Sequence, residues 1–97
     1  MTHYLYIIYS ISIDKYYIGE TNNLDERLIK HNKHLYKKSF TKIASDWNYV
    51  LTKECLQRND AIYLEKFIKR MKSKKFIEKI ILKPNILEDI LDKKLPE

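Results

Sequence analysis

The run Tyr4-Leu5-Tyr6-Ile7-Ile8-Tyr9-Ser10-Ile11, a polar break over 12–14, and then Lys15-Tyr16-Tyr17-Ile18-Gly19-Glu20 decides the fold. Residues 4–11 are aromatic and β-branched, the composition of a strand covered on both faces. A second such run after so short a break predicts an antiparallel hairpin. Side chains alternate along a strand, so Tyr17 shares a face with Lys15 and Gly19, while Tyr16, Ile18 and Glu20 point the other way. Tyr6 joins Tyr17 on one face if the connecting loop has two or four residues and no bulge. Gly19 is the only glycine in 97 residues. It calls either for a strained backbone angle or for the close approach of a helix or phosphate, where a Cβ would clash.

Working outward from the hairpin, Asn23 is a natural helix N-cap with Glu26 three residues later. The helix is expected to run to about His34, burying Leu24, Leu28 and Leu35. Arg27 and His31 are four apart and therefore stack on one helical face. Residues 36–46 read as a polar, basic loop, and Trp47 to Glu54 as a third strand. Asn59 or Asp60 is expected to cap a second helix reaching Met71, with Ala61, Leu64, Phe67, Ile68 and Met71 inward. Ser73 caps a third helix carrying Phe76, Ile77, Ile80 and Ile81. Pro84-Asn85 interrupts that helix, and residues 86–94 form a short acidic one. The order β-β-α-β-α-α with a short C-terminal helix is an α/β layer fold, a small three-stranded sheet flanked by helices. Residues 1–83 make the domain, and 84–97 an acidic tail or short helix.

A chain of 97 residues supports one modest core and one domain. The net charge of +6 and pI near 9.3 favour a polyanionic partner. Abundant lysine beside scarce arginine and glycine also fits an A/T-rich coding sequence, so the pI alone carries little weight. The single cysteine, Cys55, excludes an intramolecular disulfide framework and fits a reducing compartment. Its place at the end of an apolar run reads as a small buried side chain. No apolar run approaches the roughly 18 residues needed to cross a membrane, and the amino terminus lacks a basic segment leading into a signal-peptide core. These features point to the cytoplasm and to no membrane partner.

The spacing of Tyr6, Tyr17-Ile18-Gly19, Arg27, His31 and Glu65 resembles the GIY-YIG nuclease superfamily over about Tyr4 to Ile81. The second half-motif is intact, and Tyr4-Leu5-Tyr6 stands where the first has Gly-Ile-Tyr, keeping the tyrosine and losing the glycine. Residues 15–24 and Met71-Lys72-Ser73-Lys74-Lys75 look most like the small stand-alone bacterial branch. The resemblance implies the same element order and phosphodiester hydrolysis with one divalent metal ion, Mg²⁺ or Mn²⁺, weakly held without substrate. It implies that one tyrosine takes a proton from water while the other positions the phosphate, and Tyr6 is favoured here as the base. A neutral phenol titrates near pH ~10 and needs neighbouring positive charge for that role.

The residue types suit these roles. Arg27, one of only three arginines among sixteen lysines, can fork across two phosphate oxygens. His31 can hydrogen-bond the scissile phosphate or relay a proton. Glu65 is the hard oxygen ligand for the metal; the competing reading is an i,i+4 pair with Lys69 on an exposed helix. Two basic clusters, with Lys30, Lys37 and Lys38 in one and Lys69, Lys72, Lys74 and Lys75 in the other, are candidates for nucleic-acid contact. Tyr36, Phe40 and Trp47 near the first add stacking surfaces.

The leading expectation is therefore a metal-dependent endonuclease acting on DNA in preference to RNA, structured or branched DNA included, with repair among its settings. Specificity would come from a protein partner, and the chain would be a monomer or weak dimer. The alternative is a catalytically weak nucleic-acid-binding module of the same fold, motivated by the altered first half-motif and by Glu20 directly after the glycine. A dimer through Ile86, Ile90 and Leu91 is the third reading.

Overall fold

The structure, a computed structural model, describes residues 2–33 and 43–94. Its elements follow in the order β1 (His3–Ser10), β2 (Lys15–Thr21), α1 (Leu24–Asn32), β3 (Trp47–Cys55), α2 (Arg58–Met71), α3 (Lys74–Leu82) and α4 (Asn85–Asp92). This is the α/β arrangement expected from the hairpin outward: a three-stranded antiparallel sheet in the order β2-β1-β3, with helices on both faces. The aromatic, β-branched β1 takes the centre, and Leu5, Tyr6, Ile7 and Ile8 are all fully buried. The hairpin loop is residues 11–14, with Ser10 opposite Lys15. At four residues it satisfies the parity condition, so Tyr6 pairs with Gly19, Ile8 pairs with Tyr17, and all four share one face.

Alternation then sorts the core into two layers. Leu5, Ile7 and Ile18 face α2, α3 and α4, joining Ala61, Leu64, Ile68, Ile80, Leu87 and the buried Cys55. Tyr6, Ile8 and Tyr17 face α1, joining Trp47, Ala44, Leu24, Leu28 and Tyr49. A bulge between Ile7 and Ile8 shifts the β1–β3 register so that Ile7 opposes Leu51 and Ile8 opposes Tyr49. The bulge turns Tyr49 onto the face of Tyr6.

Several expectations are corrected. Ile11 lies in the loop rather than the strand and is exposed. The second helix begins at Arg58 with Gln57 at its N-cap, without a side-chain cap bond, so neither Asn59 nor Asp60 caps it. Met71 is half exposed rather than inward, because the helix ends there with Lys72 in the left-handed region (φ 48°). The helix after the hairpin ends at Asn32; His34, Leu35, Tyr36, Lys37, Lys38 and Phe40 lie outside the described residues. Trp47 is only 1% exposed, packed between sheet and α1, and offers no stacking surface to a ligand. The caps at Asn23 and Ser73 form as expected, their side chains accepting from the backbone N–H of Glu26 and Phe76 at 3.0 and 3.1 Å.

The acidic tail becomes α4. Leu87 is fully buried, and Ile86, Ile90 and Leu91 pack on the core beneath the sheet. The apolar face that suggested a dimer is thus engaged within the chain. Among the described residues, no helix is long and apolar enough to cross a membrane.

Candidate active site

The site is built on the α1 face of the hairpin, and it begins with the glycine. A Cβ added to Gly19 would lie 2.4 Å from the Tyr6 hydroxyl oxygen and 2.5 Å from Cζ. No glycine has positive φ. The reason for Gly19 is therefore close approach, and what approaches is the Tyr6 phenol across the strand pair, rather than a helix or phosphate. The ring lies across the glycine and is completely buried.

That placement aims Tyr6 Oη at α1. It sits 2.7 Å from His31 Nε2, and the His31 ring also contacts Tyr17 edge-on, with centroids 5.2 Å apart. Tyr49 packs T-shaped on Tyr6 at 5.5 Å. His31 is 2% exposed. Burial, helped by the Arg27 guanidinium, pushes its pKa down to about 4, so the imidazole is neutral at physiological pH. Burial raises the Tyr6 pKa well above the ordinary phenol value, and the charge and hydrogen bond of Arg27 only partly offset it. One turn of α1 thus brings Arg27 and His31 onto Tyr6, as the i,i+4 spacing requires.

Two clamps that sequence reasoning missed hold α1 against β3. At its start, the Tyr49 hydroxyl donates to the Leu24 carbonyl at 2.5 Å. At its end, Asn32 accepts from the Trp47 backbone N–H at 2.8 Å and donates to the Trp47 carbonyl at 3.0 Å. Arg27 and His31 lie between these anchors. Nothing local in the sequence marks the partnership, since Asn32 and Trp47 are joined through residues of the basic loop.

Glu65 comes from the opposite layer. It stands on α2, which packs on β2 as well as β1, and its side chain is 21% exposed. Lys69 Nζ donates to Glu65 Oε2 at 3.2 Å and lies 5.3 Å from the centre of the Tyr17 ring. Because β2 is an edge strand, Lys69 reaches round it and links Glu65 to Tyr17 and so to the α1 face. The i,i+4 pair weighed as the competing role of Glu65 is present. The same pair brings the carboxylate to the site's edge.

The remaining lysines divide. Lys30 pairs with Glu26 at 2.7 Å on the outer face of α1. Lys74 pairs with Asp14 of the hairpin loop at 2.6 Å. Lys72 and Lys75 make no ion pair among the described residues. Glu20 points away from Tyr17, as alternation requires. It lies 3.5 Å from Arg58 and 3.9 Å from His3 on the far face of the sheet, so its charge faces the α2 layer and not Tyr17.

The family model of the GIY-YIG catalytic domain matches residues 2–79. This chain belongs to the GIY-YIG family. No curated protein matches it. A UPF0213 protein from Bacillus halodurans, known from a solution NMR structure, is similar in fold and sequence. It shares 26% identity and a TM-score of 0.54 over 86% of each chain. The GIY-YIG domain is of nuclease type and implies nucleic-acid binding, and nucleases of this family generally depend on a divalent metal.

The donor set suits only one kind of metal site. Among the described residues, no three His, Cys, Asp or Glu side chains gather round a point. Among the described residues, Glu65 is the carboxylate tied to the Tyr17 edge, through Lys69. A lone carboxylate fits a Mg²⁺-like ion that keeps most of its waters and arrives with phosphate oxygens.

Proposed function

We propose that this GIY-YIG protein is a metal-dependent endonuclease hydrolysing phosphodiester bonds, with DNA favoured over RNA and the cytoplasm as its compartment. The observation that carries the reading is convergence: Tyr6, Tyr17 and His31 touch on one face, Arg27 acts on Tyr6 and His31 from within it, and Lys69 couples Glu65 to its rim.

The two tyrosines divide the work differently from the sequence-based preference. Tyr6 is sealed from solvent, its pKa is raised, and its hydroxyl already has a partner. These properties suit a positioning residue. With Arg27 donating to the Tyr6 oxygen, the phenolic hydrogen points to His31 Nε2 and fixes the imidazole tautomer. Tyr17 is half-buried on the edge strand, where water and a phosphate reach it. As the phenolate, with the Lys69 ammonium 5.3 Å from its ring centre, it is the better acceptor for the proton of the attacking water. Arg27 offsets the negative charge that builds on the phosphoryl oxygens, and the leaving oxygen takes a proton from solvent as its P–O bond breaks. Glu65, released from Lys69, would hold the divalent ion. That ion supplies Lewis-acid stabilisation of the phosphoryl oxygens when bound.

The Glu65–Lys69 pair and the buried Tyr6 favour a second reading, a binding module of low turnover. Cleavage assays on labelled single-stranded, duplex, flap and branched DNA and RNA separate the two. Metal-dependent products are expected, abolished by chelator and by Glu65→Gln with binding retained. Binding without products in any metal supports the module, and products undiminished in Glu65→Gln exclude Glu65 as the metal ligand.

A further inference from the structure

On the far side of the β2 edge from Tyr17 lies an open groove of about 350 Å³, bounded by β2, the end of α2 and the start of α3. This is within the range of small-ligand sites. Its walls include Tyr16, Ile18, Ile68 and Ile77, and its rim carries Lys15, Lys69, Lys72 and Lys74. The one acidic lining residue, Asp14, is already paired with Lys74. Lys15 and Lys72 make no ion pair among the described residues. An apolar floor beneath excess cations matches neither a simple anion nor a purely apolar ligand. It matches a molecule with a flat apolar part and a negatively charged part.

Lys69 ties this groove to the active site. It lines the groove, yet its ammonium stands over the Tyr17 ring and bonds Glu65. A strand whose phosphate lies at Tyr17 and whose backbone crosses the β2 edge reaches the groove next. We propose that the groove takes an unpaired nucleotide flanking the cleaved phosphate, its base against Tyr16, Ile18 and Ile77 and its backbone on Lys15, Lys69 and Lys72. The proposal rests on the nuclease reading and narrows it. The substrate presents a single-stranded nucleotide beside the cut, as flaps, ends and branches do and an intact duplex does not.

The test uses the full chain carrying Glu65→Gln, so that binding is read without cleavage, with wild type assayed in parallel for products. Fluorescence anisotropy is measured on a labelled single-stranded oligonucleotide, on its blunt duplex, and on versions of the single strand in which one abasic residue is walked along the chain. The expected result is tighter binding of the single strand than of the duplex, and a weakening of about tenfold at one or two abasic positions, the scale of one lost base stack. Adding Lys15→Gln and Lys72→Gln should weaken single-strand binding and lower its logarithmic salt slope by about 1.4. Equal affinity for strand and duplex, with no abasic position standing out, overturns the groove while wild-type cleavage leaves the nuclease reading intact. Absence of both cleavage and binding overturns the two together.

Discussion

At Gly19 the choice of residue is dictated by its neighbour across the strand pair. The Tyr6 ring fills the space a Cβ would need, and being fully buried it has nowhere to move. Gly19→Ala is therefore expected to cost about 1–3 kcal/mol of stability, as overpacked cores do, read as a lower urea midpoint, and to dislodge Tyr6 from His31. His31 carries a pH signature of its own. Its pKa of about 4 lies below the ordinary 6.5, so the unfolded chain binds the extra proton. Stability is full above about pH 6.5 and is lost as pH falls toward 4, by about 3 kcal/mol for a shift of this size. Urea titrations between pH 7.5 and 4 should show that slope, and His31→Gln should flatten it. Alternation placed Gly19 and Tyr17 on one face, but Tyr6 joined them only on a loop length that the sequence does not fix and the structure supplies. The contact that explains the glycine was not legible, because it depends on cross-strand register, which no local pattern states.

Among the elements, α1 matters most, because it carries both Arg27 and His31 and is pinned at each end to β3. Removing the Asn32 side chain takes away both bonds by which α1 holds the buried Trp47 backbone. Asn32→Ala is expected to cost about 1–3 kcal/mol. If the helix pivots, kcat should fall tenfold to a hundredfold, with a smaller change in KM. Steady-state kinetics beside thermal melts would separate the two effects. Helix starts marked by a side-chain cap, at Asn23 and Ser73, were readable from a few residues. The start at Arg58 was not, since Gln57 makes no cap bond and packing against the sheet sets the boundary instead. Trp47 was misread as a ligand platform for a similar reason. Its nearness in sequence to a basic cluster says nothing of the α1 helix that covers it.

For the molecule as a whole, α4 is a structural layer, with Leu87 shared by the core beneath the sheet. Leu87→Ala should cost about 2–5 kcal/mol, the range for buried leucines, with global unfolding in a single transition. Because Ile86, Ile90 and Leu91 are spent on that packing, the intact chain is expected to be a monomer by light scattering at micromolar concentration. A stable dimer would overturn this. The two-layer plan was legible because runs of apolar residues at strand and helix spacing are long and well separated. The link by which Lys69 joins Glu65, on one face, to Tyr17 on the other was not. It depends on β2 being an edge strand, and strand order is a property of the assembled sheet.

The Tyr6–Gly19 contact also constrains how this chain can vary. Positions 6 and 19 are far apart in the text and occupy a single volume in the fold, so neither has an independent fitness. With tyrosine at 6, any side chain at 19 meets its ring and must displace it. A smaller residue at 6 frees that space and removes the phenol that orients His31. Each single change out of the pair thus passes either through a destabilised chain or through one whose His31 has lost its phenol partner. The two halves of the family motif are joined by one steric contact, in which the glycine records the shape of the tyrosine.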